Sequence, residues 1–318
     1  MENRKVIITG GAGFIGSHLA RRLAIHNHCT VIDDLSTGRI QNIAQDIAER
    51  RLEFVQGSIL DLELLKKLFK DANYVFHEAA MVSVPRSMEN PLGCSLVNVI
   101  GTLNVLLAAR DNRVAKVAFA SSSSVYGDTP ELPRREQAKP SPLSPYAVSK
   151  LTGELYCRVF TSAFGLATIC LRYFNVYGPR QDPDSQYAAV IPRFIKRVLN
   201  DEPPIIFGDG TQTRDFTFVE DVVEANILAM ESNATGVFNI GTGNSISISD
   251  LAKQIIDITG KSLVPICQEK RAGDVEHSVA DISKASTFGY RPKYKIREGI
   301  MEILRRTTIS ADRSPIWK

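Results

Sequence analysis

Few features that would commit this chain to a special class are present. It has five cysteines in 318 residues (Cys29, Cys94, Cys157, Cys170 and Cys267), widely spaced and without a CxxC pair. That spacing argues against a disulfide framework and fits free, mostly buried thiols in a reducing compartment. Neither sign of charge is in excess: 38 Lys and Arg against 35 Asp and Glu leave a formal +3. This gives no electrostatic footing for a nucleic-acid partner. The basic pairs Arg21-Arg22 and Arg305-Arg306 are short and read as solvated helix faces. No apolar run is expected to reach the roughly 18 residues of a membrane span. Met1 is followed almost at once by an expected strand, so no signal peptide is expected. No internal repeat or low-complexity tract is evident. The expectation is a cytoplasmic globular protein without membrane or nucleic-acid partners, long enough for one large domain or a large and a small one.

What is present is alternation. Lys5 to Thr9, Val31-Ile32, Phe54-Val55, Tyr74 to His77, Val117 to Phe119 and Ala167 to Leu171 are short apolar runs suited to buried parallel strands. Between them lie helical patterns, including Leu62 to Phe69, Leu92 to Arg110 and a helix from near Tyr146 to about Phe164. Strand and helix in turn predict an α/β fold: a Rossmann-type doubly wound parallel sheet. Composition changes after Tyr177, where a polar proline-containing stretch precedes a helix near Val190 to Leu199. The expected division is residues 1–177 for the first domain and 178–318 mainly for a smaller mixed α/β C-terminal domain. Segments near 214–240 are expected to return to the first.

The first strand runs into G-G-A-G-F-I-G, with Gly10, Gly13 and Gly16 spaced as G-x-x-G-x-x-G and a helical pattern following. Strand, glycine turn and helix N-terminus together suit a dinucleotide pyrophosphate. Asp33, about twenty positions beyond Gly13, is placed to accept from the adenosine ribose hydroxyls and to oppose a 2'-phosphate, which favours NAD over NADP.

A second concentration of chemistry spans A-S-S-S-S-V-Y-G (Ala120 to Gly127) and P-Y-A-V-S-K (Pro145 to Lys150). Tyr146 and Lys150 are four apart and share a helix face. A free tyrosine, with a pKa of about 10, is a poor base at neutral pH. The cation one turn away, with a positive nicotinamide beside it, is expected to favour phenolate. A serine at the end of the fifth strand can bridge a substrate hydroxyl and the phenol.

G-G-A-G-F-I-G, S-S-V-Y-G, Y-x-x-x-K and L-R-Y-F-N-V-Y-G-P-R resemble the extended short-chain dehydrogenase/reductase family over nearly the whole chain. Within it the chain is most similar to the UDP-hexose 4-epimerases, of the UDP-glucose / UDP-N-acetylglucosamine 4-epimerase type. The resemblance implies an NAD-dependent isomerase acting on a UDP-sugar, usually a homodimer. It implies Ser122, Tyr146 and Lys150 as catalytic residues. Cofactor positions fall on Gly10, Gly13, Phe14, Ile15, Gly16, Asp33, Asp34, Ser58, Ile59, His77, Ala79, Ala80, Asn98 and Tyr173, with Tyr146 and Lys150 shared. Substrate positions fall on Ser122, Tyr146, Asn175, Ala189, Val190, Arg214, Arg271, Asp274 and Ser278. No metal is implied. Arg214 and Arg271 suit a diphosphate, which guanidinium groups bind through charge-assisted bonds.

Four positions discriminate among relatives. The 4,6-dehydratases of this family carry Asp-Glu where this chain has Ser123-Ser124, and the UDP-glucuronate decarboxylases carry Glu at the position of Ser124. The arginine that UDP-glucuronate 4-epimerases use for the sugar carboxylate falls near Ala189, which is apolar here. Members restricted to glucose and galactose tend to carry a tyrosine at the position of Ser278. A small residue there admits an N-acetyl group, and a pocket wide enough for it rejects the smaller sugar only weakly. The expected reaction is reversible C4 epimerisation of a UDP-hexose through a 4-keto sugar. UDP-glucose/UDP-galactose and UDP-N-acetylglucosamine/UDP-N-acetylgalactosamine are both candidates. The alternatives are a UDP-glucuronate 4-epimerase or another NAD-dependent sugar-nucleotide oxidoreductase, and a nucleotide-binding protein without activity.

Overall fold

The computed structural model describes residues 1–182, 189–270 and 275–311, with side chains in the last helix described through residue 306. Its central sheet contains β1 (Lys5–Thr9), β2 (His28–Asp33), β3 (Leu52–Gln56), β4 (Tyr74–His77), β5 (Lys116–Ser122), β6 (Ala167–Tyr173) and a seventh strand, Gly236–Ile240. The spatial order is Gly236–Ile240, β6, β5, β4, β1, β2, β3, and every pairing is parallel. Both faces are covered, which is why the strands read as continuous apolar runs rather than alternating ones. Val6 and Ile8 pack with Leu19 of the helix Phe14–Leu23 and Val222 of the helix Val219–Glu231. Ile7, one residue out of phase, faces Leu65, Val105 and Phe160 on the other side.

Chain order reverses between β1 and β4. The crevice beyond the carboxyl ends of strands at such a switch point is where open α/β sheets bind ligands. The predicted strands are all present; β5 and β6 run farther than expected, to Ser122 and Tyr173, so that both reach the crevice.

One expectation is corrected. The continuous helical stretch Pro91–Asp111 is 21 residues long and apolar enough to cross a membrane by length and composition. Up to Ala109 it carries no charge, and its many Leu, Val, Ile and Ala residues outweigh its Asn and Thr. They are spent inside the protein: Asn98 bonds to Met81 and Ser149, Thr102 to His77, and Asn104 to the carbonyls of Ile59 and Leu60. It packs as a core helix against Leu62–Leu68 and Pro145–Phe164.

A second core forms beside the sheet from Phe194 and Ile195 of the helix Val190–Leu199, Leu251 and Ile255 of Ile248–Thr259, and Ile300 of Ile296–Ala311. Short strands attach to it: Ile205–Phe207 pairs with Ile266–Gln268, while Thr213–Arg214 lies between Ile246–Ser247 and His277–Ser278. Gly236–Ile240 rejoins the main sheet beside β6.

Candidate active site

The glycine turn after β1 is shaped by contacts that exclude side chains. Gly10 has φ +70°, and a Cβ there would lie 2.6 Å from the Ala79 backbone nitrogen. A Cβ on Gly16 would lie 2.3 Å from the Gly10 carbonyl oxygen, so the helix Phe14–Leu23 rests directly on the turn. Gly13 is its N-cap, no acidic residue occupies the first turn, and Phe14 and Ile15 are half-buried there. No carboxylate in the helix's own first turn competes for its first N–H groups.

Asp33 ends β2, 8% exposed. Its carboxylate accepts from the Ala12 N–H at 3.0 Å and the Leu35 N–H at 2.9 Å. Burial pushes its pKa up, against the pull of those bonds. A Cβ on Gly38 would strike Asp33 Oδ1 at 2.6 Å, so the following loop folds tightly over the carboxylate. Asp34 accepts from the Ser36 N–H. Ser58 accepts from the Leu60 N–H, and Ile59 is buried against Gly101. Turn, helix terminus and buried carboxylate line one edge of the crevice and fit a dinucleotide with free ribose hydroxyls.

Two predicted cofactor residues have their side chains committed within the protein. The His77 imidazole is clamped between Thr9 Oγ1 at 2.7 Å and Thr102 Oγ1 at 2.9 Å, and burial drives its pKa down to about 3. Asn98 sits on a π-helical turn, Leu96–Ile100. Its amide accepts from the Met81 N–H at 2.7 Å and donates to Ser149 Oγ at 2.9 Å. It thus ties the segment after β4, which includes Ala79 and Ala80, to the helix Pro145–Phe164.

That helix begins at Pro145, with Ser144 accepting from the Ala147 N–H as N-cap. The Tyr146 N–H donates to Ser87 Oγ at 3.1 Å, and Ser87 is wholly buried. Tyr146, Lys150 and Glu154 form one stripe, a turn apart, facing the end of β5. Ser122, at the end of β5, lies close enough to the Tyr146 phenol to lower its pKa, and its Oγ accepts from the Ser124 N–H at 3.1 Å. Lys150 Nζ donates to the Ala120 carbonyl at 2.8 Å and lies 5.8 Å from the Tyr146 ring centre. Glu154 accepts from Ser121 Oγ at 2.5 Å and from Arg172 on β6 through two bonds of 2.8 and 2.7 Å. This ion pair occupies Ser121 and leaves Ser122 as the strand-end serine beside the phenol. Ser124 Oγ is buried with no partner among the described residues.

Burial dominates the electrostatics of the pair. It raises Tyr146 to about 12, with the nearby Ser122 lowering the value and Glu78 raising it. Burial also pulls Lys150 down to about 8, against the opposing effect of Glu78 and Cys94. Desolvation thus depresses the ammonium and raises the phenol together, before any charge on a bound cofactor acts on the pair.

Across the crevice, Arg214 and Ser278 are register partners in adjacent parallel strands. Arg214 Nη1 donates to the carbonyls of Thr213 and Glu276. Asp215, fully buried, accepts from the backbone of Thr242, Gly243 and Ala280 and fixes this corner. Sequence reasoning passed over Asp215; its only signal is its place beside Arg214. Asn175 lies at φ +32° and donates to the Asp215 carbonyl at 2.9 Å, so it shapes the turn whatever else it contacts. Ala189 is the exposed N-cap of the helix that opens with Val190. Arg271 and Asp274 lie outside the described residues.

A parallel sheet with its glycine turn at the switch point, and a serine, tyrosine and lysine converging beside it, define an NAD-dependent enzyme of the short-chain dehydrogenase/reductase class. The chain belongs to the NAD dependent epimerase/dehydratase family, whose model matches residues 6–241. It is 39% identical over 302 residues to the UDP-glucose 4-epimerase of Mycolicibacterium smegmatis, covering 93% of this chain and 96% of the relative. Among solved structures, it is similar to a UDP-N-acetylglucosamine 4-epimerase from Methanobrevibacter ruminantium M1 in complex with UDP-N-acetylmuramic acid. The TM-score is 0.95 and identity 41%, with 98% of this chain and 100% of that one covered. A UDP-glucose 4-epimerase from Thermotoga maritima, solved with UDP-glucose, gives a TM-score of 0.91 at 39% identity, covering 96% and 99%.

Proposed function

We propose that the protein catalyses reversible inversion at C4 of a UDP-hexose, with residues 1–177 mainly holding NAD and residues after 177 mainly the sugar nucleotide. The observation that carries this reading is Tyr146 and Lys150, one turn apart on the helix packed against β5, which ends at Ser122, next to serines rather than carboxylates at 123 and 124. NAD, when bound, supplies the hydride acceptor, the returning hydride and a positive ring. Tyr146 takes the proton of the C4 hydroxyl, directly or through Ser122, and returns it after the ketone has turned. Lys150, fixed on the Ala120 carbonyl, holds a cation beside the phenol. With neither acid nor base at 123 or 124, nothing at those positions drives elimination of water, and oxidation is followed by return.

Arg214, with Arg271, is assigned to the diphosphate, and Asn175, Ala189, Val190, Asp274 and Ser278 to the rest of the sugar nucleotide. The small Ser278, register partner of Arg214, supports acceptance of the N-acetyl sugar as well as glucose. Five cysteines without a disulfide support a reducing, cytoplasmic setting. Leu92, Leu96 and Ile100 on one helix and Val148, Leu155 and Val159 on its neighbour are 44–71% exposed. Two apolar stripes side by side on packed helices favour a homodimer formed through that face.

The test is incubation of purified protein with single UDP-sugars and no added cofactor. Formation of the C4 epimer without accumulation of NADH is expected. A requirement for stoichiometric added NAD, or turnover of UDP-glucuronate alone, would replace this reading with a net oxidoreductase or a UDP-glucuronate epimerase.

A further inference from the structure

One half-buried carboxylate at the crevice has no part in the chemistry above. Glu78 follows β4 directly, at the switch point, and its backbone presses on the glycine turn: a Cβ on Gly10 would lie 2.9 Å from its carbonyl carbon. The register His77↔Phe119 puts Glu78 beside Ala120, whose carbonyl holds Lys150. Its Oε1 accepts from the Tyr173 hydroxyl on β6 at 2.8 Å. Asn226 in turn donates to that hydroxyl at 2.8 Å, so the carboxylate is aimed by a fixed chain of bonds. Among the described residues, no hydrogen bond is recorded for Oε2. The charged or titratable groups that interact with it are Tyr173 from β6 and Tyr146 and Lys150 from the helix Pro145–Phe164.

We infer that Glu78 is a positioning residue that acts as counter-charge to Lys150 and biases the bound dinucleotide toward its oxidised, cationic form. The inference rests on the assignment of this crevice to NAD. A carboxylate held beside the nicotinamide end stabilises the positive ring relative to the neutral reduced one, and it opposes early ionisation of Tyr146. Burial raises Glu78 to about 7, partly offset by the Tyr173 bond and the Lys150 charge, so its charge is sensitive to conditions near neutrality. As pH rises through that value the carboxylate ionises and its preference for the oxidised cofactor strengthens.

The experiment compares wild type with Glu78→Gln, which keeps an oxygen for Tyr173 and loses the charge, and with Glu78→Met should the first fail to fold. Each holoenzyme is equilibrated with a redox buffer at fixed poise, and bound NADH and NAD are quantified by absorbance at 340 nm and after extraction, at pH 6 and pH 8. The neutral variants are expected to hold about tenfold more NADH relative to NAD at pH 8, about 30 mV for a two-electron couple. The difference from wild type should shrink at pH 6. Equal ratios in wild type and variants, within twofold at both pH values, would overturn the inference while leaving the NAD site standing. A wild-type protein that binds neither form of the cofactor would overturn both.

Discussion

The stripe Tyr146, Lys150, Glu154 makes a stability experiment informative about the active site. Glu154 and Arg172 have side chains 4% and 3% exposed and are joined by two short bonds. Burial alone would pull the Arg172 guanidinium down, but Glu154 outweighs it and holds the pKa above its usual range. Glu154→Gln keeps size and an acceptor for Ser121 while leaving a buried guanidinium without its counter-charge. Breaking such a pair costs about 3–5 kcal/mol. For a chain of this size, roughly 2 °C per kcal/mol gives a fall in Tm of roughly 6–10 °C. Replacing both partners in Glu154→Leu/Arg172→Met removes the orphan charge. It also leaves the Ser121 hydroxyl without its acceptor and removes a guanidinium that lies 4.6 Å from the Tyr126 ring centre. The double variant should therefore sit only about 1–2 kcal/mol below wild type. Urea denaturation followed by far-UV circular dichroism measures all three proteins. A single variant that loses less than about 1 kcal/mol, or a double variant less stable than the single, would refute the reasoning.

Four further outcomes are expected. Tyr146→Phe should lower kcat by about 10²–10⁴-fold while the protein keeps its NAD, measured by rate assay and by cofactor content after extraction. Gly16→Ala places a methyl 2.3 Å from the Gly10 carbonyl, so purified variant should carry less than a tenth of the wild-type NAD; full occupancy would show that the turn can yield. Ser278→Tyr should cut kcat/KM for the N-acetyl sugar by roughly tenfold or more while sparing UDP-glucose, within the 1–3 kcal/mol such a steric change commands. Lys116 donates to the carbonyls of Ala229 and Ser232, and burial lowers its pKa to about 8, against about 10.4 unfolded. Between those values the unfolded chain binds the extra proton, so stability should rise with pH relative to Lys116→Met; urea midpoints at pH 7, 8.5 and 9.5 that show no such divergence would contradict this.

The sheet was legible in the sequence because strands covered on both faces must be apolar throughout, and six such runs separated by helical patterns admit few topologies. The glycine turn was legible for a related reason: Gly10 and Gly16 meet backbone, and no other residue could stand there. Tyr146 and Lys150 were visible because four-residue spacing survives any packing. What escaped was whatever depends on distant segments meeting. Ser87 takes the Tyr146 N–H across 59 positions, and Glu78 receives the Tyr173 hydroxyl across 95; neither leaves a local pattern. Charges misled where burial reverses their meaning. Asp221 stands in the first turn of the helix Val219–Glu231, yet it is 2% exposed and accepts from the N–H groups of Lys293 and Tyr294. The same reversal governs the phenol. A lysine one turn from a tyrosine suggests a lowered pKa, but the cavity that brings them together desolvates both, and the phenol rises. The positive ring of bound oxidised cofactor would act against that rise, in the direction that favours phenolate.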